Sequence, residues 1–157
     1  MKKLFLFASA ALLSVSLFAQ AQTPAPTQTQ APSSTKKAED MVKFKELSYD
    51  FGKIKQGTPV THNFAFTNIS NSPVIIESAI PSCGCTTPVK PEGAIQQGKD
   101  DKIQAGFNAA NVGPFNKSIT IKVAGADLPV TLKITGEVLT ADAYAKYQTA
   151  KTSTPGQ

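Results

Sequence analysis

The chain has 157 residues, with 16 Lys and Arg against 11 Asp and Glu, two Cys, one His and no Trp. That length builds one domain with little left over, so a Rossmann-type or barrel enzyme does not fit, and two cysteines exclude a multi-disulfide scaffold. Every cation is Lys and they are spread along the chain; bidentate recognition of phosphates and base edges is the work of Arg, so no nucleic-acid partner is expected.

Met1-Lys2-Lys3 is a basic start, Leu4 to Phe18 an apolar run, and Ala19-Gln20-Ala21 a small-x-small cleavage pattern. Residues 1–21 therefore read as a signal peptide cut after Ala21. With no Cys near the cut there is no lipoprotein attachment residue, and no stable membrane insertion is expected after cleavage. The expected location is the periplasm or cell envelope of a bacterium. Residues 22–40 follow as a disordered linker rich in Pro, Thr and Gln. From Gln22 to Thr35 they carry no large apolar side chain to offset the entropy of ordering.

From Met41 the pattern alternates with period two. Val42, Phe44 and Glu46 alternate with Lys43 and Lys45; Val60, His62, Phe64 and Phe66 share one face of the next strand. Val74 to Ile80 is a β-branched run. Further alternations place Ile103, Ala105 and Phe107 together, then Ile119, Ile121 and Val123, then Leu128, Val130, Leu132 and Ile134. Turn clusters such as Asn68 to Pro73 separate them. No sustained helical period interrupts residues 41–140, so the fold class is all-β, a sandwich of antiparallel sheets with one wet face per strand. Phe64, Phe66, Ile76, Phe107, Ile121 and Leu132 are the expected shared core. In the tail, residues 141–157, a short helix over Ala141 to Tyr147 is capped by Thr140, and the last residues fray.

Tyr49-Asp50-Phe51-Gly52-Lys53-Ile54-Lys55-Gln56-Gly57 resembles the opening of the bacterial domain-of-unknown-function family 1573. So do Phe64-Ala65-Phe66-Thr67-Asn68, Ser82-Cys83-Gly84-Cys85-Thr86, Gly113 to Ile121 and Leu132 to Val138, in order. The resemblance implies an Ig-like, Hydin-type sandwich of about seven strands in an exported protein. It implies no reaction. The turn after Asn68 has Ile69-Ser70 where Thr-Gly is usual, and Ile95-Gln96-Gln97-Gly98 stands where Ile-x-Pro-Gly is usual, so loop shape departs from the pattern.

Cys83-Gly84-Cys85 carries the chemical potential of the chain. In an extended strand, sulfurs two residues apart are too far for a relaxed disulfide; Gly84 is expected to let the backbone turn and close one. Such a bridge encloses almost no chain and stabilises little. Four readings stay open for Cys83 and Cys85: packing residues in a turn, a labile redox disulfide, Cu(I) ligation by two thiolates, and mixed disulfides with another protein. A structural zinc site needs four ligands and His62 is the only other strong candidate, but it sits on a core-facing row, where a satisfied, partly buried His is expected rather than a metal or dyad partner. Asp100-Asp101 reads as a solvated pair.

No catalytic residue and no resident cofactor is expected, and the chain reads as no enzyme. The leading reading is an exported interaction module whose partner is another envelope protein or surface component. The alternative is a small periplasmic thiol protein using Cys83 and Cys85 for redox or Cu(I) handling.

Overall fold

The computed structural model describes residues 35–152; the expected signal peptide over 1–21, most of the expected linker over 22–40 and the final five residues lie outside that range. Two sheets pack face to face. In chain order the strands are β1 (Val42–Phe44), β2 (Ser48–Lys55), β3 (Val60–Asn68), β4 (Val74–Pro81), β5 (Thr86–Val89), β6 (Ala94–Ile95), β7 (Asp100–Phe107), β8 (Gly113–Val123) and β9 (Val130–Leu139), followed by helix α1 (Ala141–Thr152). One sheet has the order β1-β3-β7-β5 and the other β2-β9-β8-β4-β6. No helix among the described residues is long and apolar enough to cross a membrane.

The core is the one the alternation predicts. Phe64, Phe66, Ile76, Ile121 and Leu132 are fully buried and Phe107 nearly so, joined by Ile103, Ile119 and Ile134. Inward positions of β3 and β7 meet those of β4, β8 and β9, so each strand keeps one dry face. Asn68 ends β3 as a buried polar residue. Its amide donates to the carbonyls of Ser72 and Ile95, both at 2.9 Å, and its Oδ1 accepts the Ser70 N–H and hydroxyl. Ile69-Ser70 thus still makes a closed turn, because the Ser70 hydroxyl supplies a donor.

The strands number nine among the described residues, not about seven. Part of the difference is the first strand, which breaks at Lys45–Leu47. β1 pairs antiparallel with β3, while β2 crosses to the other sheet and runs parallel to β9. Among the named strands one parallel pair therefore interrupts otherwise antiparallel pairing. β5 and β6 are short strands at the sheet edges. Along β8, Gly113 to Lys117 pairs with β9 on one side only, and that open edge accommodates Pro114, which has no N–H to donate.

Ordered chain also begins before Met41. Lys36 and Asp127 exchange backbone and carboxylate bonds, the Ala38 N–H donates to the Leu128 carbonyl at 2.8 Å, and Ala38 is fully buried beneath a short 3-10 turn. The expected linker end is thus already part of the domain: a short tract without large apolar groups is held by backbone bonds together with the burial of Ala38. At the other end, Thr140 caps α1 through its hydroxyl, accepting the Ala143 N–H at 3.3 Å. The helix continues five residues past Tyr147, and Lys53 lies 5.2 Å from the Tyr147 ring centre.

Candidate functional site

Cys83, Gly84 and Cys85 form the crossover from β4 to β5, where the chain leaves one sheet for the other. The last bonds to β8 are Ser82 N–H to the Ser118 carbonyl, 2.8 Å, and Ser118 N–H to the Ser82 hydroxyl, 3.1 Å. The chain then turns: the Thr86 N–H donates to the Cys83 carbonyl at 3.3 Å, and the Asn108 N–H to the Cys85 carbonyl at 3.1 Å. The turn brings the two α-carbons to 5.4 Å and the sulfurs are joined in a disulfide. Gly84 achieves this without a left-handed backbone, and a β-carbon on it would meet open space. The expectation that closure needs glycine's conformational freedom is therefore corrected; the turn itself does the work.

Both cysteines are half-buried, but their surroundings differ. Cys85 packs against the core and lines a cavity of about 110 Å³ with Phe107, Asn108, Asn111, Phe115 and Lys117. Phe107 and Phe115 stack behind it, with ring centres 4.0 Å apart. Cys83 instead faces Thr86, only 3% exposed, whose hydroxyl lies 3.7 Å from the Cys83 sulfur. A disulfide sulfur has no proton, so the hydroxyl is the donor. Thr86 was not singled out from the sequence; its place three residues after Cys83, the closing position of a turn, was the available signal. The loop walling the cavity holds Ala109 at φ 51°, the one non-glycine residue among those described with a left-handed backbone, and Ala109 is fully buried.

His62 is not part of this site. Its row in β3 faces Ala105, whereas Cys85 lies in the row of Asn108, two strands over. Strand spacing and rise place them about 10 Å apart sideways and about 10 Å along the sheet. The ring is 17% exposed, stacks on Tyr49 and shares a 2.8 Å hydrogen bond with Glu46 Oε1. Among the described residues no three His, Cys, Asp or Glu side chains gather closely enough to hold a metal. Asp100 accepts the Thr67 hydroxyl and the Asp101 carboxylate accepts the Lys102 N–H, so the pair faces two different neighbours. A wider depression of about 340 Å³ over the β2–β9 seam is lined by Asp50, Lys53 and Glu137. Those charges are already engaged, Asp50 with the Gly52 N–H and Lys53 with Glu137 at 3.9 Å.

Solved structures share the sandwich. The ASH / PapD-like domain of human CEP192 (PapD-like domain 7) superposes with a TM-score of 0.54 at 12% identity, over 83% of this chain and 99% of that one. A protein of unknown function from Porphyromonas gingivalis W83 gives 0.53 at 14% identity, over 62% of this chain and 46% of that one. The secreted serine protease VesC from Vibrio cholerae gives 0.51 at 15% identity, over 64% of this chain and 24% of that one. The chain thus spans under half the length of the Porphyromonas protein, and at these identities the likeness is one of fold. No curated protein matches the chain. The family model described as protein of unknown function (DUF1573) matches residues 42–138, from the first residue of β1 to the end of the β8–β9 ladder, and the chain belongs to that family.

Proposed function

We propose that the chain is an exported Ig-like interaction module without turnover of its own, working in the periplasm or cell envelope of a bacterium on another envelope protein or surface component. The observation that carries this reading is an open strand edge. In β3 the even residues face β7, since Asn68 exchanges backbone bonds with Lys99 and Gly98, and the odd residues face β1. β1 covers that side only to Phe66, and the Lys45 N–H adds one bond, to Ala65. Thr61 and Asn63 lie beyond it, with no strand beside them among the described residues. An exposed row of N–H and C=O groups pairs readily with an extended segment of a partner. The amino-terminal sequence supports export, and the scattered lysines support a protein partner over nucleic acid.

A photo-crosslinking residue at Thr61 of the full chain, expressed in an exporting host that carries the native envelope proteins, tests this. One defined adduct should form, and Asn63→Pro, which deletes an outward N–H, should abolish it without lowering the melting temperature. An adduct that survives Asn63→Pro overturns the edge.

A second reading, thiol handling through Cys83 and Cys85, is favoured by the Thr86 hydroxyl aimed at the Cys83 sulfur. Its Cu(I) form needs both thiolates, so it requires the disulfide to be reduced first.

A further inference from the structure

We propose that the Cys83–Cys85 disulfide is a thiol-exchange site with assigned roles: Cys85 takes the incoming thiolate, and Cys83 is the leaving sulfur, its thiolate held by the Thr86 hydroxyl. The proposal rests on the thiol reading above and is independent of the strand edge. A bridge across a single residue constrains the unfolded chain very little, so stability does not account for it.

The two sulfurs are not equivalent. Cys85 borders the cavity and Cys83 does not. Lys117 on the cavity wall draws an anionic thiolate toward Cys85, while Phe107 and Phe115 give that thiolate a poorly hydrated wall, where it is more nucleophilic. On the other side, the buried Thr86 hydroxyl already points at the Cys83 sulfur. A hydrogen bond to the charged form lowers a thiol pKa, and a thiol of lower pKa leaves faster. Access and leaving-group stabilisation thus favour the same direction of cleavage.

The reductant is a protein dithiol of the envelope. Its first thiolate attacks the Cys85 sulfur and forms a mixed disulfide; the electrons of the Cys83–Cys85 bond leave on Cys83, which becomes a thiolate. The donor's second thiolate then attacks its own sulfur in the mixed disulfide and releases Cys85 as a thiolate. The donor ends as a disulfide and this chain as a dithiol, two electrons richer, with protons taken from solvent. Gly84, between the two cysteines, is exposed, and a β-carbon there would meet nothing within 4 Å, so the turn is open to solvent beside the disulfide.

Reduced glutathione is the probe. The folded wild-type protein is exposed to it at millimolar concentration, quenched with a maleimide, and mapped by fragmentation mass spectrometry. Glutathione should sit on Cys85 and maleimide on Cys83, by about tenfold or more over the reverse, which is the preference that about 1.4 kcal/mol produces. Thr86→Val should slow reduction at least about threefold, and Thr86→Ser should restore the rate. The wild-type mapping does not depend on either variant folding. Glutathione on Cys83, equal labelling, or an unchanged rate in Thr86→Val overturns the assignment while leaving thiol handling in place. A disulfide reduced only after denaturation overturns thiol handling itself.

Discussion

The imidazole of His62 lies flat on the ring of Tyr49, with centroids 3.6 Å apart and planes 7° from parallel. His62 belongs to β3 and Tyr49 to β2, so the stack joins the two sheets at the side where β1 has stopped covering β3. Phe51 and Phe64 extend it, with Phe64 edge-on to the imidazole at 4.8 Å and Phe51 edge-on to Tyr49 at 4.9 Å. Glu46 fixes the ring's outer nitrogen. His62→Ala removes the stack and leaves Glu46 free in solvent. Its expected cost is about 1–2 kcal/mol, an aromatic pair plus some burial. Chemical denaturation measures it, and a neutral result would show that the two sheets do not depend on this clasp.

Phe66 is the stricter test of the core. It is fully buried, opposite Phe44 at 5.1 Å. Phe66→Ala should cost about 3–5 kcal/mol, as transfer and cavity terms add. A loss below about 1 kcal/mol would contradict the burial of that face.

The core was legible because alternation reports which face is dry, and Phe64, Phe66, Ile121 and Leu132 carry it plainly. Alternation is blind to direction, so nothing in Tyr49 to Lys55 revealed that β2 runs parallel to β9. Thr86-Thr87-Pro88-Val89 and Ala94-Ile95 are too short, and in the first case too interrupted by Pro88, to read as strands, yet both pair. Cys83 and Cys85 were legible as the reactive pair. Their inequivalence was not, because it arises from Phe115 and Lys117, thirty or more positions away in sequence, and from a hydroxyl across a turn. His62 was readable as a core-facing residue, whereas Glu46 and Tyr49 reach it only through the break between β1 and β2.

Two glycines should respond oppositely to Ala. At Gly136, φ is 155°, and a β-carbon would lie 2.7 Å from Phe115 Cζ and 2.8 Å from the Gly52 carbonyl oxygen. The backbone of β2 and the ring of Phe115 both close on that point, so Gly136→Ala should destabilise by about 2 kcal/mol or more. At Gly84 nothing lies within 4 Å and the backbone is not left-handed, so Gly84→Ala should change stability by about 0.5 kcal/mol or less and leave the disulfide formed. Paired thermal melts with thiol counting decide both; a destabilised Gly84→Ala would mean that the turn depends on glycine after all.

Replacing Cys83 and Cys85 together by Ser should leave the sandwich intact. The bridge encloses only Gly84, so its loss frees almost no additional conformations in the unfolded chain. The turn keeps its other ties: Ser82 to Ser118, Thr86 N–H to the carbonyl at 83, and Asn108 N–H to the carbonyl at 85. A serine at 83 also still offers an oxygen to the Thr86 hydroxyl. The loss falls on position 85, where a hydroxyl replaces sulfur against Phe107 and Phe115, and about 1–2 kcal/mol is expected from that exchange. Urea unfolding of the oxidised wild type, the reduced wild type and the double variant separates the contributions. The two wild-type forms should differ by less than the variant differs from either, because packing and not the cross-link sets the cost. A double variant that does not fold, or a reduced wild type that loses most of its stability, would make the disulfide a structural element and remove the reason to look for exchange at this turn.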